Sequence, residues 1–556
     1  MPRPWPASRL LLAFAGAWLA ALLLLAVLVP YHATDALVFG AWSRGIADAG
    51  TLHTPDVSAN LLHRPLFYGT QGLLWGLFGT HEWIGRVFAW LFMAVLVGCT
   101  ARLAAGPRRD ALLAGLAGVL LLAVPDAAVQ AAAGQTDVPT AALVALVALL
   151  LFVASPSPWR SAALVLVTAA AVLAKPSALP ALAGVLAATL VGPREELRGR
   201  LLHGALPVAG GIALALAYDW TQAHWLGLSL PDFLSGSLVD KAAAEESEAA
   251  FEKTYAEARR TVVLAAQWLG PYVAVLLLFS GVYALARLAG VAHRRAAVGA
   301  LPAAVVLSWL LPFLAQDGER SLRVGPIEAG QPGATLAFLA LLIPLWLFSR
   351  LDERDAPERA TLARLVLWAA PVVLAWIVQA PTETRYLAAA WPPMAILMAL
   401  VLGGAVRVAA ARGAVAAAAV ALLPVLLAVL NLRNLDGLGV RPDGTVSLAR
   451  AAGDLRLSDL GDPDRMRAVA DPQLAGLRDG LRAAAGPAGR VLTDDGRMTF
   501  YFDGRATVRA PRSCADVRGF AAVGLLGNVA VARPDLSDCG EVVVDVPGSH
   551  IVYAIR

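Results

Sequence analysis

The sequence predicts a polytopic α-helical membrane protein carrying a small C-terminal α/β domain. Three observations predict it. The 556-residue chain is 58% hydrophobic, holds 15% charged residues and has a mean hydropathy of +0.65, outside the usual soluble range. Apolar stretches of spanning length, roughly 17 to 25 residues, recur from the N-terminus to near Asn431 and then stop. Residues 435–556 then read as an ordinary polar domain, leaving 1–434 as the membrane portion.

Taken in order, spans are expected near 10–29, 82–104, 111–124, 138–154, 160–174, 177–191, 202–218, 261–288, 297–315, 334–348, 362–379, 386–405 and 413–431. That makes about thirteen transmembrane helices. The first is expected to be retained, because no small-residue cleavage site follows it convincingly. When the spans alternate, Arg3, Arg9, Arg108, Arg109, Arg160, Arg194, Arg198, Arg200, Arg294, Arg295, Arg350, Arg354, Arg359, Arg407 and Arg412 fall on one side. The excess of positive charge marks that side, and the N-terminus, as cytoplasmic. The opposite side receives loops 31–81, 219–260 and 316–333, the turns at 125–137, 174–177 and 380–385, and the C-terminal domain.

The net charge of +4 gives no argument for a nucleic-acid partner. Neither a phosphate-binding P-loop nor a Gly-rich dinucleotide turn occurs in the sequence. Within 219–260, DWTQAHWLGLSLPDFLSG has the aromatic and leucine content of an interfacial segment, and DKAAAEESEAAFEKTYAEARR reads as a solvated charged helix.

In the C-terminal domain, RVLTDDGRMTFYFDGRATV alternates β-branched or aromatic runs with Asp-Gly turns, and EVVVDVPGSHIVYAIR reads as two strands around a Pro-Gly turn. Cys514 and Cys539 both lie there, on the oxidising side, and are expected to form a disulfide, whereas Cys99 lies in an apolar span. Two isolated cysteines without neighbouring histidines make a poor zinc site.

The candidate chemistry gathers at the outward ends of the spans. Asp35 follows the first span, where it fits either a helix cap before Phe39, Trp42 and Ile46 or a functional acid. Asp137, in GQTDVPTAALVALVALLLF, opens the fourth span on the same side and equally fits an N-terminal cap, with Pro139 in the first turn. Two carboxylates at one face have the composition of a general base and an orienting partner for a hydroxyl. His63-Arg64-Pro65, Lys175-Pro176 and Arg385-Tyr386 add single cations to that face. Each alone fits a snorkelling interfacial side chain; together they suit a phosphate or pyrophosphate whose charge grows as it departs.

At these residues the sequence resembles the GT-C glycosyltransferases, in particular the group of protein O-mannosyltransferases and bacterial lipid A aminoarabinose transferases. Asp35, HRPLFY at 63–68, GQTDVPT at 134–140 and TRYLAAAWPP at 384–393 occupy the places of that group's motifs, in the same order. Arg64 stands where the group usually has lysine, Leu66 where it has a second proline, and alanine follows Asp35 where many relatives have a second acid. The resemblance implies an inverting transfer of a sugar from a polyprenyl-phosphate donor to an extracytoplasmic hydroxyl of an envelope glycan, glycolipid or protein. Asp35 is then the general base, and Asp137 orients the acceptor or the sugar. Arg64, Lys175 and Arg385 hold the donor phosphate, with His63, Tyr68 and Tyr386 as secondary contacts. The departure after Asp35 argues against a required metal, and no cofactor is needed because the donor carries its own activated bond. The Ala- and Arg-rich composition suggests a high-GC bacterial source, in which a multi-pass place in the inner membrane is expected. A transporter or flippase of a lipid-linked glycan is the alternative, and would carry polar groups near the membrane midplane; a non-catalytic assembly protein binding wall polymer is a third. The spans are almost free of charge in their middles, which favours chemistry at the surface.

Overall fold

The computed structural model describes residues 6–28, 34–50, 65–106, 109–124, 134–191, 196–225, 271–292, 295–300 save 297, 356–379, 384–426, 472–526 save 496, 503–504, 510 and 512, and 536–556 save 548, with the isolated positions 127, 130, 229–230, 303 and 428. The expected span at 334–348, most of that at 297–315, loop 316–333 and the charged segment after 231 lie outside the described residues.

The molecule is a polytopic helical membrane protein with a C-terminal sheet domain. Its described helices begin with α1 (Pro6–Leu28), α2 (Thr34–Ala49), α3 (Leu66–Phe78), α4 (Glu82–Ala105), α5 (Ala111–Leu122), α6 (Asp137–Phe152), α7 (Pro158–Ala174) and α8 (Ala178–Thr189). After a short α-turn and a π-helical turn at Leu201–Ala205 follow α9 (Leu206–Trp225), α10 (Pro271–Leu288), α11 (Ala356–Gln379), α12 (Trp391–Ala410) and α13 (Ala414–Ala421). Ala7–Leu24, Glu82–Ala105, Leu197–His224 and Leu387–Ala410 are long and apolar enough to cross a membrane. Exposed Leu10, Leu91, Leu166, Leu214, Leu285 and Leu374 give the bundle an apolar outer surface, and exposed Trp83, Trp159 and Trp220 lie near helix ends, as interfacial belts require.

Local chemistry sets many helix limits. Asp110 caps α5 by accepting from the Leu112 and Leu113 amides, and Ser157 caps α7 by accepting from the Arg160 amide, with Pro158 next. Helix α7 ends at Ala174 because Lys175 precedes Pro176 and takes an extended conformation. The span expected at 386–405 starts as a 3₁₀ segment, Thr384–Ala390. Its α-helical part begins only at Trp391, which puts Pro392 and Pro393 in the first turn where their missing amides cost nothing.

Expected loop 31–81 contains α2 and α3. The Ser43 hydroxyl shares its one proton between the Phe39 and Tyr68 carbonyls, at 2.7 and 2.9 Å, tying the two helices together. At the start of the expected loop 219–260, α9 continues to Trp225, because its buried stripe of small residues persists past the expected end of the span.

Two contacts orient the bundle. Arg364 donates to the Val191 carbonyl at 2.9 Å, and a Cβ on Gly184 would stand 2.6 Å from the Leu367 and Trp368 carbonyl oxygens. Helices α8 and α11 are therefore antiparallel, and the α11 end at Gln379 lies beside the start of α8. Pro371 lacks the amide that would bond the Leu367 carbonyl, so this close approach falls where the α11 ladder is open. Gly184→Ala is expected to lower the midpoint of thermal unfolding in detergent, at a cost of about 1–3 kcal/mol; an unchanged midpoint would mean the two helices separate freely. At the opposite end Arg407 pairs with Asp110, so the arginine-rich ends of α4 and α12 share one side as expected.

In the C-terminal domain, α14 (Pro472–Ala485) and α15 (Met498–Tyr501) accompany a five-stranded sheet of β1 (Val491–Thr493), β2 (Ala506–Val508), β3 (Ala522–Leu526), β4 (Gly540–Val546) and β5 (His550–Ile555), in the order β2-β1-β3-β5-β4. The hairpin β4–β5 is the one expected around Pro547. The aromatic run at 498–501 forms a helical turn instead of extended chain, for a topological reason. Strands β1 and β2 are parallel, and parallel neighbours need a crossover rather than a tight turn. Cys514 and Cys539 form a disulfide with Cα atoms 5.7 Å apart, which contributes about 3 kcal/mol by closing the intervening loop in the unfolded chain. The domain shares a core with α2 and α3: Ala36, Leu37 and Trp75 pack with Leu477, Phe500 and Val552. Arg44 of α2 donates to the Phe500 carbonyl at 2.9 Å and lies over the Phe500 ring.

Candidate functional site

Helix direction alone assembles the site. Asp137 opens α6 and Lys175 closes α7, and because these consecutive helices run antiparallel both residues fall at the same end. Each charge also stands at the helix terminus that favours its sign, the carboxylate at an N-terminus and the ammonium at a C-terminus. The Lys175 ammonium donates to Asp137 Oδ1 at 2.7 Å. Asp137 is only 4% exposed, and its Oδ2 has no hydrogen-bond partner among the described residues. Such an oxygen is costly to bury, which makes it a candidate ligand-facing atom. Gln135 and Thr136, just before it, are buried too.

The antiparallel packing of α8 on α11 brings the segment Thr384–Ala390 to this same end, where it packs on α6. The backbone of Arg385 and Tyr386 therefore belongs to the 3₁₀ wall of the site, while their side chains lie outside the described part of the structure. Asp35 is the second residue of α2, likewise described only in its backbone. Arg86 fixes the entry to that region by donating from Nε to the Ala26 carbonyl, in the last turn of α1, at 2.7 Å. His63 and Arg64 lie outside the described residues.

Tyr68 is buried in α3, stacked on Phe39 and edge-on to Trp42. Burial, and to a lesser extent the neighbouring Tyr218, push its phenol above the ordinary tyrosine value, so it stays a neutral hydroxyl. Sequence reasoning missed two buried polar side chains here. Gln71, one turn past Phe67 in α3, is fully buried with neither amide atom bonded among the described residues. Asp219, on α9, is 1% exposed. Its signal was the spacing Gly211, Ala215, Asp219, Ala223, one acid in a stripe of small residues four apart.

Among the described residues, no three His, Cys, Asp or Glu side chains gather as a metal site. Among the described groups, the Lys175 ammonium can meet a phosphate and the buried Asp137 carboxylate can bind a hydroxyl.

No family model matches the chain, and no curated protein matches it. Two solved structures do, both of ArnT from Cupriavidus metallidurans, one bound to undecaprenyl phosphate and one in the apo state. Each is 15% identical to this chain, and the match covers 98% of this chain and 97% of the other, with TM-scores of 0.54 and 0.55. The likeness extends through the membrane helices and the C-terminal sheet, and it shows a shared fold.

Proposed function

We propose that this chain is a membrane glycosyltransferase using a polyprenyl-phosphate sugar, with its acids and cations acting together at one end of the bundle. The observation that carries the reading is the buried Asp137–Lys175 pair, with its open carboxylate oxygen, at the end where α2 brings in Asp35. The ArnT likeness supports it, since that protein was solved with undecaprenyl phosphate, a lipid of the class proposed here.

In this reading Asp35 takes the proton of an acceptor hydroxyl as its oxygen attacks the anomeric carbon. The bond from that carbon to the phosphate oxygen breaks, and the phosphate leaves with the electron pair. Attack opposite the leaving group inverts the configuration. Arg64, Lys175 and Arg385 stabilise the charge on the departing phosphate. Asp137 orients the sugar or the acceptor through Oδ2, and His63, Tyr68 and Tyr386 line the approach. The acceptor is an extracytoplasmic hydroxyl of an envelope glycan, glycolipid or protein, and neither metal nor cofactor is required. The termini follow from the arginine distribution, with the N-terminus cytoplasmic and the C-terminal domain outside.

The test is transfer by purified protein in nanodiscs, given a panel of polyprenyl-phosphate sugars and total envelope acceptors, with and without chelator. Donor-dependent product that survives chelation is expected. If every donor fails while labelled lipid-linked glycan crosses the bilayer, the protein is a transporter.

A further inference from the structure

Helix α9 has one buried face. Gly204 and Val208 lead into Gly211, Ala215, Asp219 and Ala223, all buried at three- or four-residue intervals, while Leu206, Leu214, Leu216 and Trp220 are exposed on the other side. This face lies on α7, since a Cβ on Gly211 would meet the Val165 carbonyl and the Thr168 side chain. Every other member of the stripe is Gly, Val or Ala. Packing here selects for small apolar side chains, and Asp219 is the acid placed among them.

The level of Asp219 follows from the register. Gly204 lies against Leu151, near the α6 end remote from Asp137, so α7 and α9 run parallel. From Gly211 to Asp219, α9 rises about 12 Å, and from Thr168 to Lys175, α7 rises about 10 Å. Asp219 therefore arrives within a turn of the Asp137–Lys175 pair. Two further observations agree with this level. Tyr218 lies close enough to Tyr68 of α3 to raise its phenol, and exposed Trp220 marks the interface at that end.

Resting on the glycosyltransferase reading, we propose that Asp219 is a further substrate-binding residue, whose carboxylate accepts hydrogen bonds from the hydroxyls of the sugar carried on the lipid phosphate. A carboxylate repels phosphate, so an acid at this level belongs with the sugar rather than with the leaving group. Ionised acceptors bind hydroxyls strongly in a site screened from water.

The experiment measures equilibrium binding to full-length protein in nanodiscs of three probes: polyprenyl phosphate alone, polyprenyl-phosphate mannose and polyprenyl-phosphate arabinose. Asp219→Asn is expected to bind the bare lipid phosphate within twofold of wild type, and to bind the sugar-bearing lipid that wild type prefers about tenfold or more weakly. Asp219→Glu should recover part of that loss. A variant that weakens all three lipids equally makes Asp219 a packing residue and overturns the inference. One that leaves all three unchanged overturns it too, with the glycosyltransferase reading intact. Wild type that binds none of the lipids overturns that reading and this inference with it.

Discussion

Asp35→Asn is expected to abolish sugar transfer, lowering turnover by roughly 10²–10⁴-fold, while the protein remains folded and still binds the lipid donor. Asparagine keeps the size and hydrogen-bonding reach of aspartate but takes no proton. A general base therefore loses its function, whereas a helix cap does not. Asp35 is the second residue of α2, where a negative charge contributes about 0.3–1 kcal/mol through the helix dipole. A purely structural acid would show only that small loss in thermal stability, with transfer nearly intact. The measurement is initial transfer rate against donor concentration, beside a melting curve in the same detergent. Wild-type turnover in a slightly destabilised variant would refute the assignment as base.

The second large effect concerns the buried pair. Lys175→Met is expected to cost about 3–5 kcal/mol of stability, because it leaves the Asp137 carboxylate buried without its counter-charge. Adding Asp137→Asn to that variant removes the stranded charge and should restore most of the stability. Transfer should not return, since both the phosphate-holding cation and the orienting carboxylate are gone. Melting curves of the two single variants and the double variant isolate the coupling. A double variant that is stable and transfers at the wild-type rate would reduce the pair to a structural tie between α6 and α7.

The two acids differ in what the sequence alone could say about them. Asp35 and Asp137 were legible because each follows the polar edge of a long apolar run, and a simple alternation of spans puts both on one side. The ion pair was not legible. Residues 137 and 175 are brought together by the antiparallel return of α7, and no local pattern encodes a 2.7 Å contact between the start of one helix and the end of the next. Asp219 was hidden for a related reason. Its neighbours Trp220, Thr221 and Gln222 read as an interfacial loop, yet the small-residue face of α9 packs on α7 and carries the helix to Trp225.

By itself, then, the sequence determined the elements that depend on composition and local chemistry. These are the apolar spans, the caps at Asp110 and Ser157, the break before Pro176, the proline-led start of α12 and the closing hairpin of the sheet. Such features follow from solvation of side chains and from backbone geometry over a few residues, and both are written in adjacent letters. Only the tertiary structure decided which helices neighbour one another, that the C-terminal domain shares a core with α2, and that Asp137 and Lys175 meet at one end. Those outcomes depend on close approaches at Gly184 and Gly211, where the absence of a side chain lets one helix lie on another's carbonyls. Contacts of that kind join residues distant in the chain, and packing selects them only once the helices have formed.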